Sequence, residues 1–346
     1  MPFRDGGEFL SGSIGSVLSQ SFGDFELIVV DDGSGCEAAA EADRLVSGDT
    51  RARVIHLEPR GVSAARNAAL DVAQGRYVAF VDSDDTLESD YLKELFNRAE
   101  ETGADYVVAP YTIEREDGTE SAVPLKGEYI FGSNAAIRDG YLPRIFGYSM
   151  DDVREWYGGR PLFSGRETAG VWRGLFRRSV IVSSHIRFDE SITLYEDAMF
   201  LAAFLLKAEK MASTLRPLYR YRLRSSGSML GEAGRRRLVK NKLALLKARC
   251  ALDEAEGGSL FRLFAASCVF SLLESAKRLA LHPSKGDLAA LKEYMRHPAT
   301  RAALADFPLS PKHPLLALAV SAARLLSRRA SWRDPRPRYD ASRRLK

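Results

Sequence analysis

A chain of 346 residues, 45% hydrophobic and 28% charged, can bury a full core, which excludes global disorder and leaves room for one large domain with a sizeable appendage. The formal charge of +4 hides an asymmetry, because residues 1–206 carry 20 basic against 35 acidic side chains and residues 207–346 carry 30 against 11. Cys36, Cys250 and Cys268 are too few and too scattered for a disulfide framework or a zinc site, and residues 1–7 lack the apolar core of a secretory signal, so a cytoplasmic setting is expected.

The chain opens Met1-Pro2-Phe3-Arg4-Asp5 and enters a helical pattern over 9–20 almost at once, with no room for a strand ahead of it. Since the first strand of a doubly wound sheet is usually central, the expectation is a sheet lacking a central member or a reading frame that extends upstream of Met1. Apolar runs at 25–30, 54–57, 77–81 and 106–109 alternate with helical spacing at 37–46, 63–73 and 89–102. That alternation predicts an α/β fold, a mostly parallel sheet buried on both faces by helices. Ser89 is the expected N-cap of the last of these helices, with Leu92, Leu95 and Phe96 as its apolar stripe.

Over 118–165, glycine, proline, tyrosine and charged residues interleave, which predicts loops and short strands of a substrate-facing wall. Order returns at 171–182, at a helix over 195–208 and at a strand over 215–223, and the remainder reads as helices with a Pro- and Arg-rich end. The expected boundary lies near 230, giving a domain of residues 1–230 and a basic helical region of residues 231–346. Apolar stretches at 260–273 and 315–326 are interrupted by Arg262 and Arg324 and fall short of the roughly 20 residues a membrane span needs. Leu315, Leu316, Leu318, Leu325 and Leu326, with Arg324, Arg328, Arg329, Arg333, Arg336 and Arg338, instead predict peripheral contact with an anionic membrane, against the simpler reading of helical packing. The arginines carry no nucleic-acid-binding motif, and no nucleic-acid partner is expected.

Ligands of open α/β sheets bind beyond the carboxyl ends of strands, where Val30-Asp31-Asp32-Gly33-Ser34 places two carboxylates able to accept from a base N–H or a ribose hydroxyl. An acidic turn with Ser34 as helix N-cap would give the same pattern. Asp82-Ser83-Asp84-Asp85 sets three carboxylates within four residues after a second strand. Their repulsion calls for a cation, and Mg²⁺ or Mn²⁺ with oxygen ligands would bridge to a diphosphate; the alternative is a solvated acidic turn capping a helix.

Taken together these segments resemble the family 2 glycosyltransferases of the GT-A fold over residues 2–226. Residues 2–5 are similar to the end of that family's first-strand motif and Ser16-Val17-Leu18-Ser19-Gln20 to its first helix. Residues 26–34 are similar to its nucleotide-binding turn, with Gly35-Cys36 in place of the usual Thr-Asp. Gly61-Val62-Ser63-Ala64-Ala65-Arg66-Asn67 resembles the segment before its metal motif, and Asp82 to Asp85 the motif itself. The resemblance implies that Asp31 and Asp32 contact the uracil or ribose of a nucleotide-sugar donor and that Arg66 lies near the nucleotide. It also implies that Asp84 and Asp85 handle ribose and a Mn²⁺ or Mg²⁺ ion, with Asp82 in support.

Phe188-Asp189-Glu190 and Leu194 to Phe200 are similar to the acceptor-side motif of bacterial polysaccharide members, which implies Asp197 as catalytic base with Glu196 beside it. The implied reaction is inverting transfer from a UDP-sugar to a glycan or lipid-linked acceptor in cell-surface polysaccharide synthesis, at the inner face of the cell membrane. Simpler alternatives stand beside these roles: Arg66 and Asn67 as an exposed helix face, Glu196 and Asp197 as helix-dipole partners, and Trp172 with the 219–222 strand as core rather than sugar platform. Other readings of the whole are a degenerate, scaffold-like glycosyltransferase module and a sugar-nucleotide nucleotidyltransferase. The latter requires a Gly-rich phosphate loop that residues 1–5 do not offer.

Overall fold

The computed structural model describes residues 1–5, 7–162, 165–224 and 238–329. Two compact units emerge: Met1–Ile145 with Glu167–Gly231, and Phe146–Arg166 with Glu232–Lys346. The division thus falls at 231, and the chain in addition leaves the first unit at 146 and returns at 167.

In the first unit, β1 (Pro2–Phe3), α1 (Phe9–Leu18), β2 (Leu27–Asp32), α2 (Cys36–Val46), β3 (Ala52–Leu57) and α3 (Val62–Val72) alternate as expected. A first strand does exist, in abbreviated form: Pro2 and Phe3 pair in parallel with Val30 and Asp31. Strand β2 then pairs in parallel with β3, Leu27 opposite Ala52. All six residues of β2 are buried, and because they alternate between two covered faces its first four are continuously apolar. Leu27 and Val29 join Leu10, Ile14 and Val17 of α1 in one core, while Ile28 and Val30 meet Ala65 of α3 on the opposite face.

Beyond β3 the pairing is mixed. The elements are β4 (Tyr77–Ala79), β5 (Thr86–Leu87), α4 (Tyr91–Thr102), β6 (Tyr106–Val108), β7 (Tyr111–Arg115), β8 (Glu120–Val123), β9 (Ile130–Phe131), α5 (Asn134–Gly140), α6 (Leu142–Phe146) and α7 (Met150–Tyr157). They are followed by β10 (Gly174–Arg177), α8 (Arg178–Ser183), α9 (Glu196–Leu205), β11 (Met211–Ser213) and β12 (Tyr219–Leu223). One sheet runs β4-β10-β6-β11-β9 and another β5-β12-β7-β8. Strand β10 lies antiparallel between β4 and β6, pairing Phe176 with both Val78 and Tyr106. Gly174 is required there, because a Cβ would sit 2.4 Å from the Tyr106 ring. Helix α4 begins after Asp90 rather than Ser89, whose carbonyl accepts from Ser21 N instead.

The second unit is helical, with α7, α10 (Leu238–Ala255), α11 (Phe261–Leu281), α12 (Lys285–Arg296), α13 (Pro298–Asp306) and α14 (Pro314–Arg329). Ser149 and Asp152 form a capping box that starts α7, and the Ser267 hydroxyl of α11 accepts from Tyr148 N at 2.6 Å. Buried Asp253 accepts from the amides of Leu260 and Phe261, satisfying donors at the entry to α11. Arg324 is not a free surface cation: its guanidinium donates to the carbonyls of Leu304, Ala305 and Phe307 at the end of α13. Arg333, Arg336 and Arg338 lie outside the described residues. No helix of the described residues is long and apolar enough to cross a membrane.

Candidate active site

The carboxyl end of β2 places Asp31 and Asp32 where strand gives way to turn, and both are buried. Asp31 accepts from Ser34 N at 2.8 Å and pairs with His56 Nδ1 of β3 at 2.9 Å, while His56 Nε2 lies 3.2 Å from Asp43. Burial pushes the Asp31 carboxyl up, but the donors from Ser34 and His56 outweigh it and hold it below the usual range. The Asp31 hydrogen bond raises His56. Asp32 accepts from the amides of Arg60 and Gly61 at 2.7 and 2.9 Å, so its carboxylate organises the entry to α3. Asp5 completes this edge by accepting from Gly35 N and donating its own amide to the Ser34 hydroxyl.

At the second acidic turn the three aspartates diverge. Asp82 faces Arg66, at 2.9 Å. Asp84 is half-buried and pairs with Arg224, and its carbonyl accepts from the Arg222 guanidinium. Asp85 turns inward: one oxygen accepts from Tyr219 Oη at 2.8 Å and the other from Arg222 N at 2.7 Å, both on β12. Burial first, and the Asp82 charge second, raise its pKa to about 8. The expectation that Asp85 handles a metal thus meets a carboxylate 1% exposed with both oxygens engaged, leaving Asp84 and Asp82 as the outward-facing members. Among the described residues no cluster of three or more His, Cys, Asp or Glu residues forms a metal-holding group.

Arg66 is the hub of the site. It is 4% exposed, not part of a solvated helix face, and it joins Asp82 to the start of α9, donating to Asp197 at 2.6 Å and Glu196 at 3.2 Å. Burial alone would lower its pKa; Asp197, Asp82 and Glu196 reverse that and raise it. Asn67 fastens the preceding segment, donating to Phe188 O and accepting from Phe188 N, each at 2.9 Å. Phe188 in turn sits 5.2 Å from the Arg66 guanidinium.

Asp197 also accepts from Val171 N at 3.3 Å, and burial, against the pull of Arg66, raises its pKa to about 7. Glu196, 5% exposed and facing Arg66, is less accessible than its neighbour. Tyr195, immediately before this helix, holds a left-handed φ of 71°, a conformation rare for a tyrosine.

The structure therefore brings Arg66, Asp82, Glu196 and Asp197 into one network and leaves Asp31 and Asp32 in a separate one. Trp172 is core, its ring centroid 4.6 Å from that of Tyr219 and 4.8 Å from that of Tyr111. Sequence reading missed Phe9 and Arg224. The Arg222 and Arg224 guanidiniums lie 4.7 and 4.9 Å from the Phe9 ring, beside a cleft lined by Arg4, Asp5, Ser83 and Asp84. The alternation Arg220, Arg222, Arg224 on one strand face was the available signal.

Residues 1–156 match the model of glycosyl transferase family 2. EpsH of Bacillus subtilis is 28% identical over 239 residues, covering 68% of this chain and 62% of EpsH. The chain thus spans about three-fifths of that relative. The succinoglycan biosynthesis protein ExoO of Rhizobium meliloti is 27% identical over 322 residues, covering 91% of this chain and 83% of ExoO. Residues 1–349 of Staphylococcus aureus TarS, crystallised with UDP-GlcNAc, share the fold with a TM-score of 0.63 at 19% identity, over 96% of this chain and 91% of that one. Family model, relatives and fold point the same way: residues 1–156 are similar to the family 2 glycosyltransferases, and the chain has the GT-A fold.

Proposed function

We propose that the chain moves a sugar, with inversion, from a UDP-sugar to a hydroxyl of a glycan or lipid-linked acceptor in cell-surface polysaccharide synthesis. The observation that carries this reading is the bridge through Arg66, which ties the donor-side Asp82 to Asp197 at the mouth of α9. In this reading the acceptor hydroxyl attacks the donor's anomeric carbon and Asp197 takes its proton. A carboxyl raised to about 7 by burial suits that task, since a general base works best with a pKa near the operating pH. Arg66 orients the carboxylate and stabilises its charged form. TarS, crystallised with UDP-GlcNAc, makes that sugar nucleotide the first donor to test.

Asp84 and Asp82 fit a Mn²⁺ or Mg²⁺ ion by donor chemistry: two hard oxygen ligands in an open acidic turn, for ions that use one or two carboxylates plus substrate phosphates. Such an ion, when bound, supplies charge stabilisation to the departing diphosphate. Arg222 and Arg224 flank the same turn with fixed positive charge. Thermal shift and hydrolysis with UDP-GlcNAc and other UDP- and GDP-sugars, with and without Mn²⁺, test the reading. Stabilisation by one UDP-sugar is expected, and equal indifference to all of them would remove it.

Peripheral contact with anionic membrane belongs to the same proposal. Leu315, Leu318, Leu325 and Leu326 of α14 are 54 to 81% exposed and recur at helical spacing. Co-sedimentation of the full chain with phosphatidylglycerol vesicles should exceed that with phosphatidylcholine vesicles and fall in Leu315→Glu/Leu318→Glu. Equal recovery in all three pellets would remove the membrane.

A further inference from the structure

Between α7 and β10 the chain runs through residues 167–173 and delivers Val171 N to Asp197. Two buried side chains of opposite charge frame this stretch. Arg173 is 1% exposed and Glu167 3%, and both terminal nitrogens of Arg173 lie 3.3 Å from one Glu167 oxygen. The other oxygen accepts from Tyr129 Oη at 2.6 Å and Lys126 N at 2.7 Å, so the carboxylate is fully engaged. Arg173 spends its remaining donors on backbone, Nε to Ala109 O beyond β6 and Nη1 to Thr168 O. Ala109 N returns a bond to Arg173 O, and Tyr91 Oη holds Trp172 O. Thr168 is held from the side by Tyr111 Oη, at 3.1 Å.

A buried pair of this kind is weak evidence of a contribution to stability. Desolvating two charges is costly, and well-packed apolar residues of the same volume usually do as well or better. What the pair supplies is a fixed geometry, because five donors and two carboxylate oxygens admit few arrangements. The pair's bonds hold 167–173, the end of β6 and residues 126–129, and the bond that carries this order to the acid–base machinery is Val171 N to Asp197.

We infer that the Arg173–Glu167 pair is a positioning device for the catalytic base: it locks 168–172 so that the Val171 amide fixes the second oxygen of Asp197, while Arg66 fixes the first. The inference rests on the assignment of Asp197 as base. Neither Arg173 nor Glu167 need touch substrate. Both act through backbone.

The test compares the full-length protein with Glu167→Gln/Arg173→Met, which removes both charges and keeps shape, using turnover of whichever UDP-sugar the enzyme hydrolyses or transfers. UDP affinity and KM for donor should stay within about twofold, while kcat falls about 10- to 100-fold, the scale of an ångström-level misplacement. The decisive arm is the same pair of changes in an Asp197→Asn background, where no further loss is expected because the group being positioned is gone. Arg173→Lys alone, which keeps a positive charge beside Glu167 but loses the planar fork, replaces the double variant if that does not fold. Wild-type kcat in these variants, or an equal further loss in the Asp197→Asn background, overturns the inference and leaves the base assignment standing. Wild-type turnover in Asp197→Asn itself overturns the base assignment, and the inference with it.

Discussion

The two acidic turns look alike in sequence and are built on opposite principles. Asp31 and Asp32 are satisfied by fixed donors of the fold, the amides of Ser34, Arg60 and Gly61 and the ring of His56. Asp82 and Asp84 instead face arginines, and Asp85 faces Tyr219 and the Arg222 amide. The first turn is therefore a brace, and the donors around Asp31 favour its charged form. The second holds charge in balance, with ion pairs that a ligand carrying its own charges can exchange. Carboxylates at a strand end do not by themselves mark the chemistry; the kind of partner does.

The largest expected effect is at the far end of the second network. Asp197→Asn should keep UDP binding near wild type and cut turnover by about 10² to 10⁴, the range for a positioned base, as read by calorimetry beside a turnover assay. Wild-type turnover would separate Asp197 from the reaction and leave Arg66 a structural hub. Next comes the brace: Asp32→Ala leaves two amides without their acceptor and should lower unfolding free energy by about 1–3 kcal/mol. If urea denaturation shows no change, the first turn is no brace.

A smaller effect divides the second turn internally. Asp84→Asn should weaken Mn²⁺-dependent UDP binding by about tenfold or more, and Asp85→Asn should weaken it less, because Asp85 faces inward. The reverse order would return the metal to Asp85. The smallest effect is a difference in pH response. Asp31 lies below its ordinary pKa, so its contribution to stability is present near neutrality and lost on acidification through the folded pKa. Asp85, raised to about 8, contributes at acid pH and loses that contribution as pH rises through 8. Denaturation of wild type against Asp85→Asn should therefore show the wild-type advantage shrinking between about pH 4 and about pH 8, and a constant gap over that range would contradict it.

Much of the fold was legible because β2, α1 and α3 are specified by their own periodicity, and Asp31, Asp32, Arg66, Asp82 and Asp197 fall at element ends that periodicity locates. The misreadings share a cause. Strand β10 enters between β4 and β6 from about a hundred residues downstream, and residues 146–166 pack with helices that begin near 238; neither partner is visible in a local window. Asp84 and Asp85 are equivalent as letters, and only the arrival of Tyr219 from β12 turns one inward. Arg66 was open to reading as an exposed helix face, because burying an arginine needs three carboxylates from two distant segments. The first strand escaped notice because two residues carry no period.

Gly33 stands where the turns after β2 and β3 meet, at φ 72°, and a Cβ there would lie 2.6 Å from Cδ and 2.8 Å from the backbone nitrogen of Pro59. For anyone diversifying this protein to accept other nucleotides, that contact divides the loop into fixed and variable letters. Position 33 must remain glycine in any library, since no side chain fits either the space or the backbone. The acceptors at 32 and 34 are the next constraint, since the Asp32 carboxylate and the Ser34 hydroxyl accept from the backbone amides of Arg60, Gly61 and Asp5, which any residue but proline supplies.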